Sequence, residues 1–79
     1  MKNIIVYGTE WCSYCVKLKK WLKENNYGYE FKDIDNEENN KEFDTLEVQG
    51  IPFVIINDNK STHTVEGFNP EKIKKIMVS

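Results

Sequence analysis

A chain of 79 residues with two cysteines, two prolines, four glycines and a formal charge of −2 has room for one domain and excludes a second. With 39% hydrophobic and 30% charged residues of mixed sign, it is a soluble globular sequence rather than a disordered one. Five lysines against two acids in residues 1–29, two against eight in 30–47 and four against three in 48–79 form no basic stripe, so no nucleic-acid partner is expected.

Asn3–Tyr7 is a short β-rich run ending at Gly8-Thr9, the pattern of a strand buried on both faces. From Ser13 to Asn25, Leu18, Trp21 and Leu22 recur at helical spacing with Cys15 one turn earlier. Lys17, Lys19, Lys20, Lys23 and Glu24 take the other, solvated face. Tyr27-Gly28 ends this helix, and Tyr29–Ile34 reads as a second strand through Tyr29, Phe31 and Ile34. Asp35 or Asn36 caps a second helix running to about Leu46, patterned by Phe43 and Leu46 in an acidic, solvated stretch. Phe53–Ile56 is uniformly apolar, Asn57-Asp58-Asn59-Lys60 supplies turn chemistry, and Thr62–Glu66 alternates, which predicts a hairpin. Pro70 suits the first turn of a last helix reaching Val78, with Ile73, Ile76 and Met77 on its apolar face. The sum is an α/β fold of order β-α-β-α-β-β-α: two parallel strands joined by a right-handed helical crossover, a hairpin completing a four-stranded mixed sheet, and helices on both faces.

The longest early apolar run, Ile4-Ile5-Val6-Tyr7, is far short of a signal-peptide core or of the roughly 20 residues that span a bilayer. Neither export nor a membrane partner is expected, and the location is read as cytoplasmic. Thiols there are kept reduced, so two cysteines are more often catalytic, redox-sensing or metal-binding than structural. Cys12-Ser13-Tyr14-Cys15 falls where the first strand meets the first helix. Unpaired amides and the macrodipole at the helix N-terminus favour an anion, so Cys12 is expected to be a thiolate nucleophile. A thiol of pKa about 8.5 is only about 3% ionised at pH 7, whereas one lowered to about 6 would be roughly 90% ionised. Cys15, one turn into the helix, is close enough to form a disulfide and would resolve a mixed disulfide made on Cys12. This chemistry needs no bound metal or organic cofactor. As a staple the pair closes a loop too short to restrict the unfolded chain. As a zinc site it offers two thiolates and one distant histidine, His63, where four ligands are wanted. His63 is placed on the exposed hairpin, with no neighbour supporting acid–base work.

Trp11-Cys12-Ser13-Tyr14-Cys15, Gly50-Ile51-Pro52-Phe53 and Gly67-Phe68-Asn69-Pro70, in this order along the chain, resemble the glutaredoxin family of the thioredoxin superfamily. The resemblance implies a minimal thioredoxin fold. It also implies a cis bond at Pro52 facing the cysteines, which leaves the Ile51 backbone free to pair with an extended substrate such as glutathione. Tyr14 and Phe68 would flank the thiol, Gly67 would allow close approach of a ligand, and Asn69 belongs to the same motif. Tyr14, Ile51, Pro52, Gly67, Phe68 and Asn69 are thus the expected docking residues, while Trp11 could either pack beside the loop or face a partner.

Glutathione-using members of the family usually carry a basic residue where Thr9 stands, a Thr-Val-Pro tripeptide, and a Gly-Gly pair followed by an acid. Here Gly50-Ile51-Pro52 and Glu66-Gly67-Phe68-Asn69-Pro70 replace the latter two. Gly67-Phe68-Asn69-Pro70-Glu71 is similar to the pattern in the glutaredoxin-like hydrogen donors of ribonucleotide reductase, which thioredoxin reductase recharges. The expectation is a monomeric dithiol oxidoreductase that acts on protein disulfides or glutathione mixed disulfides, with glutathione or thioredoxin reductase as reductant. Two alternatives remain: a [2Fe–2S] scaffold held by Cys12 from two chains and glutathione, and a thioredoxin-fold interaction module whose cysteines never exchange.

Overall fold

In the computed structural model, which describes residues 2–78, strand β1 (Asn3–Gly8) sends alternate residues to opposite faces of a sheet. Strand β3 (Phe53–Asn57) lies antiparallel beside it, with Ile4 opposite Ile56, Val6 opposite Val54 and Tyr7 opposite Phe53. Strand β2 (Glu30–Asp33) pairs parallel with the other edge of β1, and β4 (Thr62–Glu66) pairs antiparallel with β3, giving the order β2-β1-β3-β4. Helix α1 (Ser13–Glu24) makes the crossover between β1 and β2, α2 (Glu37–Asp44) leads from β2 towards β3, and α3 (Pro70–Val78) follows β4. The element order is the expected one.

The register sorts the core into two clusters. On one face α1 and α3 bring Leu18, Leu22 and Ile73 against Ile4, Val6, Val54, Ile56 and Val65. On the other, α2 brings Phe43 to Tyr7 and Phe53, the Tyr7 and Phe43 ring centroids lying 5.7 Å apart. Each fully buried aliphatic or aromatic side chain contributes about 1.5–3 kcal/mol, so β1 and β3, covered on both sides, anchor the fold. Strand β2 is shorter than expected: Tyr29 and Ile34 fall outside it but still pack, one against each cluster.

The helix ends follow local chemistry. Helix α1 ends at Glu24, within one residue of the expected Ser13–Asn25 span. Asn25 caps it, Asn26 takes φ +61°, and the amides of Asn26 and Tyr27 donate to the carbonyls of Lys23 and Leu22, a Schellman closure made with asparagine in place of glycine. Tyr27 then stacks against Trp21 at 5.8 Å. Of the two candidate caps for α2 it is Asn36 whose Oδ1 accepts the amides of Glu38 and Asn39. The acidic stretch is not wholly solvated. Glu42 Oε1 accepts the Tyr7 hydroxyl at 2.6 Å and Lys32 Nζ at 2.7 Å, tying α2 to β1 and β2. Nor is His63 without neighbours: Nε2 is 3.1 Å from Ser61 Oγ and 3.7 Å from Asp58 Oδ2. Both contacts fall on the same ring nitrogen, so they clasp the hairpin turn and form no proton relay.

Candidate active site

The end of β1, the start of β3 and the end of β4 meet at one end of the sheet, because Tyr7 pairs with Phe53 and Phe53 with Glu66. The segments that continue from these residues therefore converge: Gly8 to Cys12, Gly50 to Pro52, and Gly67 onward. Cys12 is the N-cap of α1. Its backbone is extended (φ −81°, ψ 117°) and its carbonyl accepts the Val16 amide at 3.0 Å. Its Sγ accepts the Cys15 amide at 3.3 Å, the place a capping oxygen would take. The first turn of α1 carries no acidic residue, so nothing there cancels the positive end of the helix.

Cys15 lies in a different environment 3 residues along the chain. Its side chain is fully buried, and both cysteines are reduced. The sulfur rests against the backbone of Gly8: a Cβ built on Gly8 would stand 2.5 Å from Cys15 Sγ and 3.3 Å from the Phe31 ring. Burial pushes the Cys15 thiol up to about 12 and its hydrogen bond with Cys12 adds to the rise, while the Thr9 amide and the Lys19 charge act the other way. At neutral pH the pair comprises a half-exposed sulfur at a helix end and a buried sulfur held as the thiol.

The Ile51–Pro52 peptide bond is cis, and the Pro52 carbonyl accepts the Gly67 amide at 2.8 Å. Gly50 (φ +122°) and Gly67 (φ +74°) both adopt backbone conformations that residues with a Cβ avoid. Among the described residues no backbone group pairs with the amide or carbonyl of Ile51. A groove of about 140 Å³ opens beside it, lined by Val48, Gln49, Gly50, Ile51, Glu66 and Gly67. Tyr14 is 57% exposed and Trp11 74% exposed, so Trp11 does not pack beneath the loop; its Nε1 donates to Asp35 Oδ2 at 2.9 Å. Phe68, by contrast, is half-buried against the larger core cluster. Of the expected docking residues only Ile51 and Gly67 line the groove; Tyr14, Pro52, Phe68 and Asn69 do not, and Asn69 caps α3, its Oδ1 accepting the Lys72 amide at 3.3 Å. Thr9 is buried with its hydroxyl unpaired, so no cation occupies that position.

Four contributors escaped the sequence reading: Gly8, Val16, Lys19 and Asp35. Val16 is exposed on the first turn of α1. Only Lys19 left a readable sign, its spacing of four residues from Cys15, which places both on one side of α1.

The glutaredoxin family model matches residues 4–60. The chain belongs to the glutaredoxin family. Mycoredoxin 1 of Corynebacterium glutamicum is 33% identical, the match covering 96% of this chain and 95% of that protein. Thioredoxin 3 of Plasmodium falciparum is also 33% identical over 91% of this chain, which spans only 44% of that longer protein. The structure is similar to glutaredoxin 1 from Francisella tularensis (TM-score 0.75, 24% identity, 100% of both chains). It is also similar to the glutaredoxin-like NrdH-redoxin from Escherichia coli (TM-score 0.73, 17% identity, 94% of this chain and 93% of that one). At these identities the two structures establish the thioredoxin fold alone. Family membership makes the chain a thiol–disulfide oxidoreductase carrying the Cys12–Cys15 pair. Its glutaredoxin-type site departs from the glutathione-binding pattern at Thr9, Gly50 and the single Gly67.

Proposed function

We propose that the protein is a monomeric, cytoplasmic dithiol carrier that reduces protein disulfides and glutathione mixed disulfides, with Cys12 attacking and Cys15 resolving. The observation that carries this reading is the hydrogen bond from the Cys15 amide to Cys12 Sγ at the start of α1, with the second sulfur buried one turn deeper. An extended substrate would pair with the unoccupied Ile51 backbone by strand-like addition. Ile51 and Gly67 would shape the groove, Pro52 and Phe68 would support the segments that carry them, Tyr14 would flank the thiol, and Asn69 would act from the start of α3. The chemistry calls for no bound cofactor.

Glutathione is one candidate reductant and thioredoxin reductase the other. Thr9 supplies no cation and the one charged side chain lining the groove is the carboxylate of Glu66, which disfavours an anionic tripeptide and supports thioredoxin reductase. The thioredoxin-like activity profile named for the NrdH-redoxin of E. coli is in keeping with this choice, and the resemblance of Gly67-Phe68-Asn69-Pro70-Glu71 to the hydrogen donors of ribonucleotide reductase makes that enzyme a candidate electron acceptor.

Oxidised protein is to be offered NADPH with either glutathione and glutathione reductase or thioredoxin reductase, and its free thiols counted. Recovery of both thiols with thioredoxin reductase supports the reading; recovery only with glutathione reverses the choice of donor. Cys12→Ser should lower disulfide reduction to the uncatalysed background without loss of stability, because serine is itself a preferred N-cap. Activity that survives this substitution would remove Cys12 from the mechanism.

A further inference from the structure

Lys19 is unlike the other lysines of α1. Lys17, Lys20 and Lys23 are exposed, but the Lys19 side chain is only 19% exposed. Its Nζ lies 4.0 Å from the centroid of the Phe31 ring and 3.3 Å from Glu10 Oε2. Phe31 is the same ring that closes on Gly8 where the Cys15 sulfur sits. Lys19, Phe31, Gly8 and Cys15 therefore form one contiguous cluster joining α1, β2 and β1. A cation held between an aromatic face and a carboxylate stays within electrostatic reach of a fully buried thiol.

The groups that bear on that sulfur can be named element by element. Helix α1 contributes Cys12, which raises the pH at which Cys15 ionises, and Lys19, which lowers it. From the β1 side come the Gly8 backbone and the Thr9 amide, from β2 the uncharged Phe31 ring, and behind Lys19 the Glu10 carboxylate. Once Cys12 is tied up in a mixed disulfide it can no longer carry negative charge, so its opposition ends. Burial then remains as the main obstacle to ionising Cys15, with Lys19 and the Thr9 amide acting against it.

We propose that Lys19 is a positioning residue for the resolving step, its ammonium clamped between Phe31 and Glu10 so that the buried Cys15 sulfur can ionise when the mixed disulfide is in place. This rests on the reading of Cys12 as attacking and Cys15 as resolving. In the step, the Cys15 thiol gives its proton to solvent and the resulting thiolate attacks Cys12 Sγ. The bond between Cys12 and the substrate sulfur breaks, and the substrate leaves as a thiolate that takes up a proton. The protein ends with a Cys12–Cys15 disulfide, oxidised by two electrons, and the substrate disulfide has been reduced by two.

The size of the effect follows from two opposing tendencies. A neighbouring cation shifts an ionisation by about one unit or more, which changes the thiolate fraction about tenfold. A thiolate of higher pKa is intrinsically more nucleophilic, with a Brønsted coefficient of about 0.4–0.5, so the net change in rate at neutral pH is about threefold.

The test is stopped-flow reaction of the reduced protein with dithiobis(nitrobenzoate). The first equivalent of thionitrobenzoate reports attack by Cys12 and the second reports resolution by Cys15. Lys19→Met keeps the aliphatic stem over Phe31 and removes the charge. It should leave the first phase within about twofold, slow the second about threefold, and move the pH profile of the second phase up by about one unit. Lys19→Arg should restore the wild-type profile. Glu10→Gln, at an exposed position, keeps an oxygen that accepts the Lys19 ammonium while taking away the counter-charge, and should move the profile down.

A Lys19→Met second phase that slows with its pH profile unmoved, or does not change, would overturn the assignment. So would a Glu10→Gln profile that fails to move down, a result independent of whether the lysine variant folds. If the wild-type protein shows no first phase dependent on Cys12, the reading of the two cysteines itself falls and the role of Lys19 falls with it.

Discussion

The rim around Cys12 and the pocket around Cys15 are separated by one turn of helix, yet they are opposite environments. The rim carries Trp11 and Tyr14, both exposed, next along the chain to a sulfur that accepts a backbone amide. The pocket is made of the Gly8 backbone and the Phe31 ring, with a largely covered Lys19 over that ring, and it buries its sulfur completely. The contrast arises from helix geometry alone. An N-cap position points its side chain back over the open helix end, while a residue three positions later turns towards the sheet. Two identical side chains thus acquire different environments without any acidic residue in the first turn of α1.

Alkaline pH is the strongest way to break this contrast. Cys15 is pushed up to about 12 from an ordinary 9.0, and Tyr7, buried beneath α2 and bonded to Glu42, is pushed up to about 12 from 10.0. Both groups are neutral in the native state over a range where the unfolded chain has already lost their protons. Their contribution is complete below the unfolded values and disappears as the pH rises through the folded ones. Reduced protein should therefore lose stability from about pH 9, the unfolded thiol's value. Oxidised protein, whose Cys15 no longer titrates, should begin to lose it only from about pH 10. Urea titrations of both forms across this range would show the difference. Coincident curves would mean that the pocket does not hold Cys15 as a thiol.

Filling the pocket should have the next largest effect. Gly8→Ala puts a methyl group 2.5 Å from the Cys15 sulfur, too close for either atom to stay in place. Overpacking of this kind costs about 1–3 kcal/mol, and here it should also displace the Cys15 sulfur and, on the proposed mechanism, slow the second phase of dithiobis(nitrobenzoate) reduction. Gly28→Ala is the control, since a methyl group there meets nothing within 4 Å and the backbone does not require glycine. It should be neutral or stabilise by up to about 1 kcal/mol. Thermal melts of the two variants that agree would contradict the close approach of β1 and α1.

The element order was readable because the apolar periods are strong in β1, α1 and α3, and because Asn36, Asp58 and Pro70 carry their local chemistry openly. The cysteine spacing and the Ile51-Pro52 motif were readable for the same reason. The rest depends on contacts distant in sequence. Gly8 reads as the end of a strand until α1 folds back and lays the Cys15 sulfur on it. Lys19 reads as one more solvated lysine until β2 brings Phe31 beneath it. The part Asn26 plays in closing α1 is not legible in the sequence, because asparagine enters the left-handed region less often than glycine and Gly28 stands two residues on. Asn69 shows the converse: a residue expected to dock substrate from its place in a motif is also a helix cap, and the motif alone does not separate the two roles.

The rim offers the smallest effects and the sharpest distinction between substrates. Trp11 is 74% exposed and is held by one hydrogen bond to Asp35, 24 residues away. Little of its surface is buried in the free protein, so Trp11→Ala should change stability by less than about 0.5 kcal/mol. A protein partner that reaches Cys12 must cross this rim, and an exposed tryptophan is the side chain most able to anchor it. Trp11→Ala should therefore slow reduction of a protein disulfide about threefold to tenfold, the loss of a modest interface anchor of about 1 kcal/mol. A small disulfide such as dithiobis(nitrobenzoate) needs no such anchor and should react at the wild-type rate. Asp35→Asn keeps the indole but weakens its tether from a charged acceptor to a neutral one, worth well under 1 kcal/mol at an exposed site, so about a twofold loss on the protein substrate is expected. Equal losses on the small disulfide and the protein disulfide would place Trp11 in the chemistry of Cys12 and remove it from partner docking.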